Sequence, residues 1–381
     1  MIKVCHVTSA HRNDDPRIFQ KECTTLAMNG YDVYYVAPGN SFLKNGVHVI
    51  GVAKKKFAGF FGKVKRLLFF SRSVYMKAKK LDCDIYHFHD PDMLRYAIKF
   101  SKKGKRVIFD FHEEYHESIL NNERKSIPRA FVKLAAKYYL HLQNKVCRFA
   151  SGCIVVNPQM YGKWTKYSEN VIQITNYPII CPAISNFKKK KNLIVFAGKN
   201  PDNYSQDIFI KAISSIPDIE YHIYGDISAQ RKSELLAISS RGISFKGTIP
   251  FDQMYQVIAE AAIGMAVTDI FFVDGDKKGS IGNTKLFEYM MMKVPVVCTN
   301  YDNWKKIVEN DQCGICVDPH DVGEIRDAVN KILNDSNLAE TMGKNGRLMV
   351  EKKYNWANDA KTLLAFYDSL VHAKLYRGKR H

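Results

Sequence analysis

Two doubly wound α/β domains in tandem are the fold class this sequence predicts, and three observations predict it. Short apolar runs recur along both halves of the chain, with helical patterns between them. The runs are continuous rather than strictly alternating, as expected of parallel strands covered on both faces. Between the halves lies a proline-punctuated stretch, Asn176-Tyr-Pro178 to Cys181-Pro182, followed by the basic run Lys188–Lys191, which marks a linker.

In the first half, strands are expected at Ile2–Thr8, Asp32–Ala37, Val47–Val52, Asp84–His89, Arg106–Phe111 and Gly152–Val156. Helical patterns at Pro16–Asn29, Phe57–Lys80, Pro91–Lys103 and Ser126–Phe149 complete a domain assigned to residues 1–183. The alternation restarts with strands near Asn192–Ala197, Ile219–Tyr224, Ile243–Lys246, Ile263–Val267, Pro295–Cys298 and Gly314–Val317, a second domain over 184–355. A last helix, about Trp356–His372, is a candidate to fold back on the first domain. Ligands of open α/β sheets bind beyond the carboxyl ends of the strands, so two such sheets are expected to face a central cleft.

No run of eighteen apolar residues occurs, so no transmembrane helix is expected. Met1–Val7 enters a strand pattern at once, without the apolar core or cleavage site of a signal peptide. The expectation is a cytoplasmic protein. Nine cysteines, scattered through apolar runs, read as buried free thiols of a reducing compartment. Cys313-Gly-Ile-Cys316 has metal or redox spacing but no second pair, so two core residues around a turn is the simpler reading. The formal charge is +19 and uneven: residues 1–187 carry 30 Lys+Arg against 14 Asp+Glu, the remainder 27 against 24. Something anionic should face the first half: nucleic acid, a membrane surface or a phosphorylated substrate.

The clearest local signal is Gly282-Asn-Thr-Lys-Leu-Phe-Glu288, running on to Pro295-Val-Val297. Asn283 or Thr284 can cap a helix starting near Lys285. A free helix N-terminus suits a diphosphate, Lys285 adds a full charge, and Glu288 one turn in can accept from a ribose diol. The same residues would also make an ordinary capped helix.

Taken together, Lys285-Leu-Phe-Glu-Tyr-Met290, Pro295-Val-Val297, Cys313–Pro319, Met342-Gly-Lys-Asn-Gly-Arg347 and Tyr354-Asn-Trp356 resemble the donor-binding half of glycosyltransferase family 4. In the first half, His6-Val-Thr-Ser9, Asp15-Pro-Arg-Ile-Phe19, Gly30-Tyr-Asp-Val33, His87-Phe-His-Asp-Pro91 and Val107–Glu113 resemble a bacterial surface-polysaccharide branch. The resemblance implies the GT-B fold, a sugar nucleotide on the second domain, an acceptor on the first, and retention of anomeric configuration without a metal. It places Glu288 on the ribose, and Gly198, Gly225, Asp226 and Thr248 around the nucleotide. Two positions depart from the family pattern. Ser280 stands where a first glutamate is usual, which leaves that role to backbone groups of residues 281–284. Lys199 replaces an arginine, as a point charge without the fork, and Tyr204-Ser205 stands where a lysine is expected. The phosphate clamp is thereby weakened, with Lys285 as the compensating group.

By the same resemblance, His112 touches the donor sugar and aligns the acceptor. Asp15, Arg17, His89, Asp90 and Glu113 are expected on the acceptor side, with Asp90 or Asp15 as proton acceptor. His87 is expected to face away from His89 and to be structural. His112-Glu-Glu-Tyr-His116 matches a zinc-protease spacing, but it follows a strand and lacks an evident third ligand, so no metal is expected.

Residues 54–81 hold ten Lys/Arg and no acid, with Phe57, Phe60, Phe61, Val64, Leu67 and Leu68 at helical spacing. This stretch suits an anionic membrane surface, with Ser126–Arg148 as a second basic helix; a core-facing helix with a solvated lysine face is the alternative. No nucleic-acid-binding signature appears. The combined expectation is a peripheral glycosyltransferase on the inner face of the cytoplasmic membrane. It would move a sugar from a nucleoside diphosphate donor, with uridine favoured, to a lipid-linked or growing glycan, and no cofactor is expected. The rivals are a zinc hydrolase using His112 and His116, or a weakened sugar-nucleotide- or nucleic-acid-binding protein.

Overall fold

The computed structural model describes residues 1–53, 69–121, 128–181, 188–270, 279, 281 and 283–372. The chain divides into two compact units, Met1–Thr175 with Asp359–His381, and Asn176–Asn358.

The first unit is built on an eight-stranded sheet. Its strands are β1 (Lys3–Val7), β2 (Asp32–Pro38), β3 (Phe42–Lys44), β4 (Val47–Val52), β5 (Ile85–Phe88), β6 (Arg106–Phe111), β7 (Gly152–Val155) and β8 (Val171–Gln173). The order is β3-β4-β2-β1-β5-β6-β7-β8, parallel except for β3 against β4. Every residue of β5 and β7 is buried, as continuous apolar runs require. The six strands expected from the sequence form. The two not expected, β3 and β8, are three-residue edge strands with no apolar run to announce them.

The helix after β1 is unusual. Asp15 caps it, its carboxylate accepting from the N–H groups of Arg17 and Ile18. Pro16 then opens a π-wound segment, Pro16–Cys23, in which Gln20 N–H reaches back to Asp15 O at 3.2 Å. The wider turn buries Arg17, Lys21 and Glu22 along with Ile18, Phe19 and Cys23. Three ionisable side chains thus enter the interior beneath the carboxyl ends of the strands, where π-turns often serve function.

The second unit holds a six-stranded, wholly parallel sheet. Its strands are β9 (Leu193–Ala197), β10 (Glu220–Tyr224), β11 (Ile243–Gly247), β12 (Ile263–Ala266), β13 (Val296–Thr299) and β14 (Gly314–Val317), in the order β11-β10-β9-β12-β13-β14. Connections leave β9 and β12 toward opposite sides, which makes their junction the switch point of the sheet. One glycine and one tyrosine fix the helix Thr284–Met291 there. A Cβ on Gly264 would collide with the Tyr289 ring, so the ring can lie against the β12 backbone. The Tyr289 hydroxyl donates to Met265 O at 3.1 Å and accepts from Ala197 N–H at 3.2 Å, tying the helix to β12 and β9.

The boundary falls earlier than the expected 183/184. Tyr177 packs edge-on against Phe287 with centroids 4.8 Å apart, and Pro178 O accepts from Trp356 N–H at 2.8 Å. Residues 176–181 therefore belong with the second unit. The helix Trp356–His372 begins in that unit and from Asp359 onward belongs to the first. There Tyr31 donates to Asp368 at 2.7 Å, and the Tyr367 ring is buried against Tyr31.

All nine cysteines are free thiols. Cys313 and Cys316 are core residues, with Cys316 Sγ 3.6 Å from Cys298 Sγ across paired strands. Among the described residues no helix is long and apolar enough to cross a membrane.

Asp359 is buried, and its Oδ2 has no hydrogen-bond partner. Burial pushes its carboxyl up to about 7, against the opposing pull of Arg17 and Lys21. An acid raised in the folded state contributes stability below its unfolded pKa, near 4, and that contribution is lost as pH rises through 7. Asp359→Asn should therefore leave the melting temperature at pH 4 unchanged and raise it at pH 8, by the equivalent of a few kcal/mol at most. Equal shifts at both pH values in thermal unfolding would contradict this account.

Candidate active site

In the second unit, the expected donor residues gather at the carboxyl ends of β9 to β11 and at the start of the Thr284–Met291 helix. Asn283 is the N-cap, its side-chain oxygen accepting from Lys285 N–H at 3.1 Å. The Lys285 ammonium reaches back to Gly198, just past β9, and occupies the space a Cβ there would need. It lies over two aromatic faces, 5.2 Å from the centroids of Phe196 and of Tyr204. Burial lowers its pKa, with Glu288 pulling the other way. An ammonium stripped of part of its water and held at a helix N-terminus is primed to accept a polyanion.

Tyr204, which stands where a lysine was expected, proves to be part of this arrangement. Its hydroxyl accepts from Asn283 Nδ2 at 3.0 Å, and its ring forms one wall of the Lys285 slot. The departure from the family pattern exchanges a second cation for a platform that orients the first. Glu288 is one turn into the helix and only 8% exposed. Gly225 has φ +142°, and a Cβ on it would strike the Gly198 carbonyl, so the loops after β9 and β10 pack backbone to backbone. Asp226 N–H donates to Lys199 O at 3.0 Å across the same junction. Lys199, Asp226 and Thr248 are exposed, and Thr284 is half-buried. Ser280 and Gly282 lie outside the described residues.

In the first unit, the predicted residues meet at the ends of β1, β5 and β6, but in roles that correct several expectations. Asp90, expected as a proton acceptor, is heavily engaged within its own unit. Its carboxylate takes hydrogen bonds from Thr8 Oγ1, from Ser9 N–H at 2.8 Å and from Ala10 N–H at 3.0 Å, and its other oxygen meets His11 Nε2 at 3.2 Å. Despite burial, His11 and Thr8 hold it well below the usual carboxylate range. Asp90 also adopts φ +65°, a strained backbone for a residue with a side chain. Asp15 is likewise occupied, by the helix cap and by His11 Nδ1 at 2.9 Å. Against burial, His11 holds Asp15 down at about 2. His11, bracketed by two carboxylates that outweigh its burial, is pushed up to about 10 and is an imidazolium.

Arg17 is not an acceptor contact either. It is buried, with Nε and Nη2 forked on Asp110 at 2.9–3.1 Å and Nη1 donating to Ile174 O at 3.2 Å. His89 is fully buried. Its Nδ1 shares a hydrogen bond with His112 Nε2 at 3.2 Å and lies 3.6 Å from Asp110. Burial lowers its pKa to about 4. Glu113 is exposed and accepts from Ser118 Oγ at 2.7 Å.

His87 shares a face with His89, contrary to expectation. Residues two apart on a strand point the same way, and the two rings stack with centroids 4.5 Å apart. His112 remains as the partly exposed member of this group, with Nε2 3.0 Å from Asp110 Oδ2. Asp110, Glu22, His6, His11 and Tyr367 were not singled out from sequence. His6 pairs in register with His87 across β1 and β5, a parity visible once the strand order is known.

The zinc-protease spacing is not realised. His112 precedes the helix Tyr115–Asn121 and faces Asp110, whereas His116 is on that helix with Glu114 Oε2 at 3.4 Å and Glu117 Oε1 at 3.6 Å. The two histidines belong to different clusters.

Comparisons with known proteins bear on the family and the fold. Residues 19–175 match the family described as Glycosyltransferase Family 4, and residues 181–349 match Glycosyl transferases group 1. The capsular polysaccharide biosynthesis glycosyltransferase CapM of Staphylococcus aureus is 34% identical over 84 residues, 22% of each protein. The alignments with curated relatives span 22%, 47% and 45% of those proteins' own lengths. Sucrose-phosphate synthase of Thermosynechococcus elongatus superposes with a TM-score of 0.74 at 14% identity, over 98% of this chain and 100% of that one. Anabaena Alr3699/HepE, solved with UDP and glucose, gives 0.70 at 14% identity, over 97% and 100%. The chain therefore has the GT-B fold, with residues 19–175 similar to Glycosyltransferase Family 4 and residues 181–349 similar to Glycosyl transferases group 1.

Proposed function

We propose that this protein transfers a glycosyl group from a nucleoside diphosphate-sugar, with uridine favoured, to a glycan or lipid-linked acceptor in surface-polysaccharide synthesis, with retention of configuration. The observation that carries this reading is the Lys285 ammonium, fixed between Phe196 and Tyr204 at the free N-terminus of its helix. Departure of the nucleoside diphosphate builds charge on its terminal phosphate, and pre-placed cations and N–H groups stabilise that charge without reorganising. Lys285 and the helix end supply this in a partly dry site, and Lys199 adds a solvated charge. No metal is needed for the leaving group in this scheme. Glu288, one turn deeper, accepts from the ribose diol. In the first unit, His112 meets the donor sugar and the acceptor, with Asp110 behind it fixing the imidazole. Asp90 and Asp15 hold the loop after β1 in place rather than take a proton. The relatives named above support the reaction class, and CapM by its name supports the polysaccharide setting.

The helix Arg129–Phe149 supports work at a membrane surface. Phe131, Leu134 and Tyr138 are 65%, 66% and 53% exposed at helical spacing, with Lys133 and Lys137 exposed beside them. An apolar stripe among cations suits anionic headgroups. Of the basic stretch 54–80, residues 54–68 lie outside the described residues; Ser71–Lys80 form a helix carrying Lys77, Lys79 and Lys80 in its last turn.

Three outcomes follow. Lys285→Ala should lower kcat on the order of 10²-fold, Tyr204→Ala should approach it, and Tyr204→Phe should stay within several-fold because the ring remains. Transfer rates unchanged in Lys285→Ala and Glu288→Ala would remove the donor site. In a thermal-shift series over sugar nucleotides, one class should raise the melting temperature, worth about 2.7 kcal/mol at a hundred times its Kd. Sedimentation with phosphatidylglycerol vesicles should capture the protein at low salt, and Phe131→Glu with Leu134→Glu should release it. Equal capture by neutral vesicles would count against the electrostatic part of that reading.

A further inference from the structure

The buried polar residues of the first unit exceed what a glycosyl acceptor site needs. His6, Glu22, His87 and His89 are each fully buried, and one ligand atom from each lies within 4.8 Å of the other three. They come from three elements: β1, the π-wound helix, and β5 with the residue just past its end. Their separations have the scale of a coordination shell. His6 Nδ1 is 3.2 Å from His89 Nε2 and 3.8 Å from Glu22 Oε2. Ligands about 2.0–2.1 Å from a tetrahedral zinc stand about 3.3 Å apart.

A second observation points to a missing cation. His87 Nε2 is fully buried and has no hydrogen-bond partner, and Glu22 is engaged on one side only, by Arg17 and Asp110. Arg17 Nε is 3.1 Å from Glu22 Oε1, but its N–H is spent on Asp110. A buried polar atom without a partner is costly, and the orphaned imidazole nitrogen asks for an explanation. The outer partners of a metal site are already present. Tyr367 O–H reaches His6 Nε2 at 3.3 Å and His87 Nδ1 at 2.8 Å, Asp110 lies 3.6 Å from His89 Nδ1, and Arg17 flanks Glu22. Metal-bound histidines commonly engage their second nitrogen in this way.

We propose that His6, Glu22, His87 and His89 form a closed structural site for a divalent transition metal, with zinc the best match to three imidazoles and one carboxylate. The site departs from the expectation that no metal is bound. It has no open position and no exposure, so its part is to lock the π-wound helix to β1 and β5 and to hold His89 behind His112. The proposal does not depend on the donor or acceptor of the transfer reaction.

The test uses the full chain without a polyhistidine tag, expressed in cobalt- or zinc-supplemented medium and dialysed. About one equivalent of metal should remain, and the cobalt form should show the visible absorption of tetrahedral coordination. Glu22→Gln and His87→Gln should each reduce retained metal at least tenfold. His116→Ala, which disrupts the half-buried Glu114–His116–Glu117 cluster, should leave it unchanged. A wild-type protein that retains no metal and shows no tetrahedral cobalt spectrum overturns the site, as does loss of metal from His116→Ala with retention in Glu22→Gln.

Discussion

The fork between Arg17 and Asp110 is the interaction on which the first unit depends. A guanidinium and a carboxylate are both removed from water there, at a desolvation cost that a pair alone seldom recovers. What the pair secures is position. Arg17 belongs to the helix after β1 and Asp110 to β6, so the fork ties two elements that are not sheet neighbours. Asp110 then orients His112 and faces His89, while Arg17 satisfies the Ile174 carbonyl. A conservative exchange of Arg17 for lysine would lose the fork geometry that serves three acceptor positions at once.

The second unit solves a different problem with similar economy. Its half-buried cation, Lys285, is held without being neutralised. Carboxylates adjacent to Lys285 would compete with the ligand; aromatic faces attract the ammonium and leave its charge available. Glu288 is close enough to oppose the loss of the proton.

Much of this was legible beforehand. Continuous apolar runs gave the buried parallel strands, and Asn283 with the lysine two residues on gave the helix start. The three-residue strands β3 and β8 carry no periodicity, so nothing local announces them. Tyr204 read as a defect because its partners Asn283 and Lys285 lie some eighty residues away in sequence. Asp15, Asp90, Arg17 and His89 are more heavily engaged by their neighbours than the sequence suggested. Position at a strand end was visible, but burial and the number of donors on each carboxylate were not. His87 was misplaced by a parity slip that the two-residue repeat of a strand should have prevented. Glu22 could not be placed inside at all, since its inward direction follows from π-winding rather than from an ordinary helical repeat.

The backbone at Asp90 carries a further consequence. A left-handed φ immediately before a proline is tolerated there because four polar groups converge on one carboxylate. Glycine would relax that bend and make the chain locally easier to fold. It would also leave the loop from Thr8 to His11 held chiefly by the His11–Asp15 pair and by Thr8 N–H on Val36 O. Relief of the bend would thus come only with the loss of four buried polar contacts, so ease of local folding and retention of shape pull apart at this position.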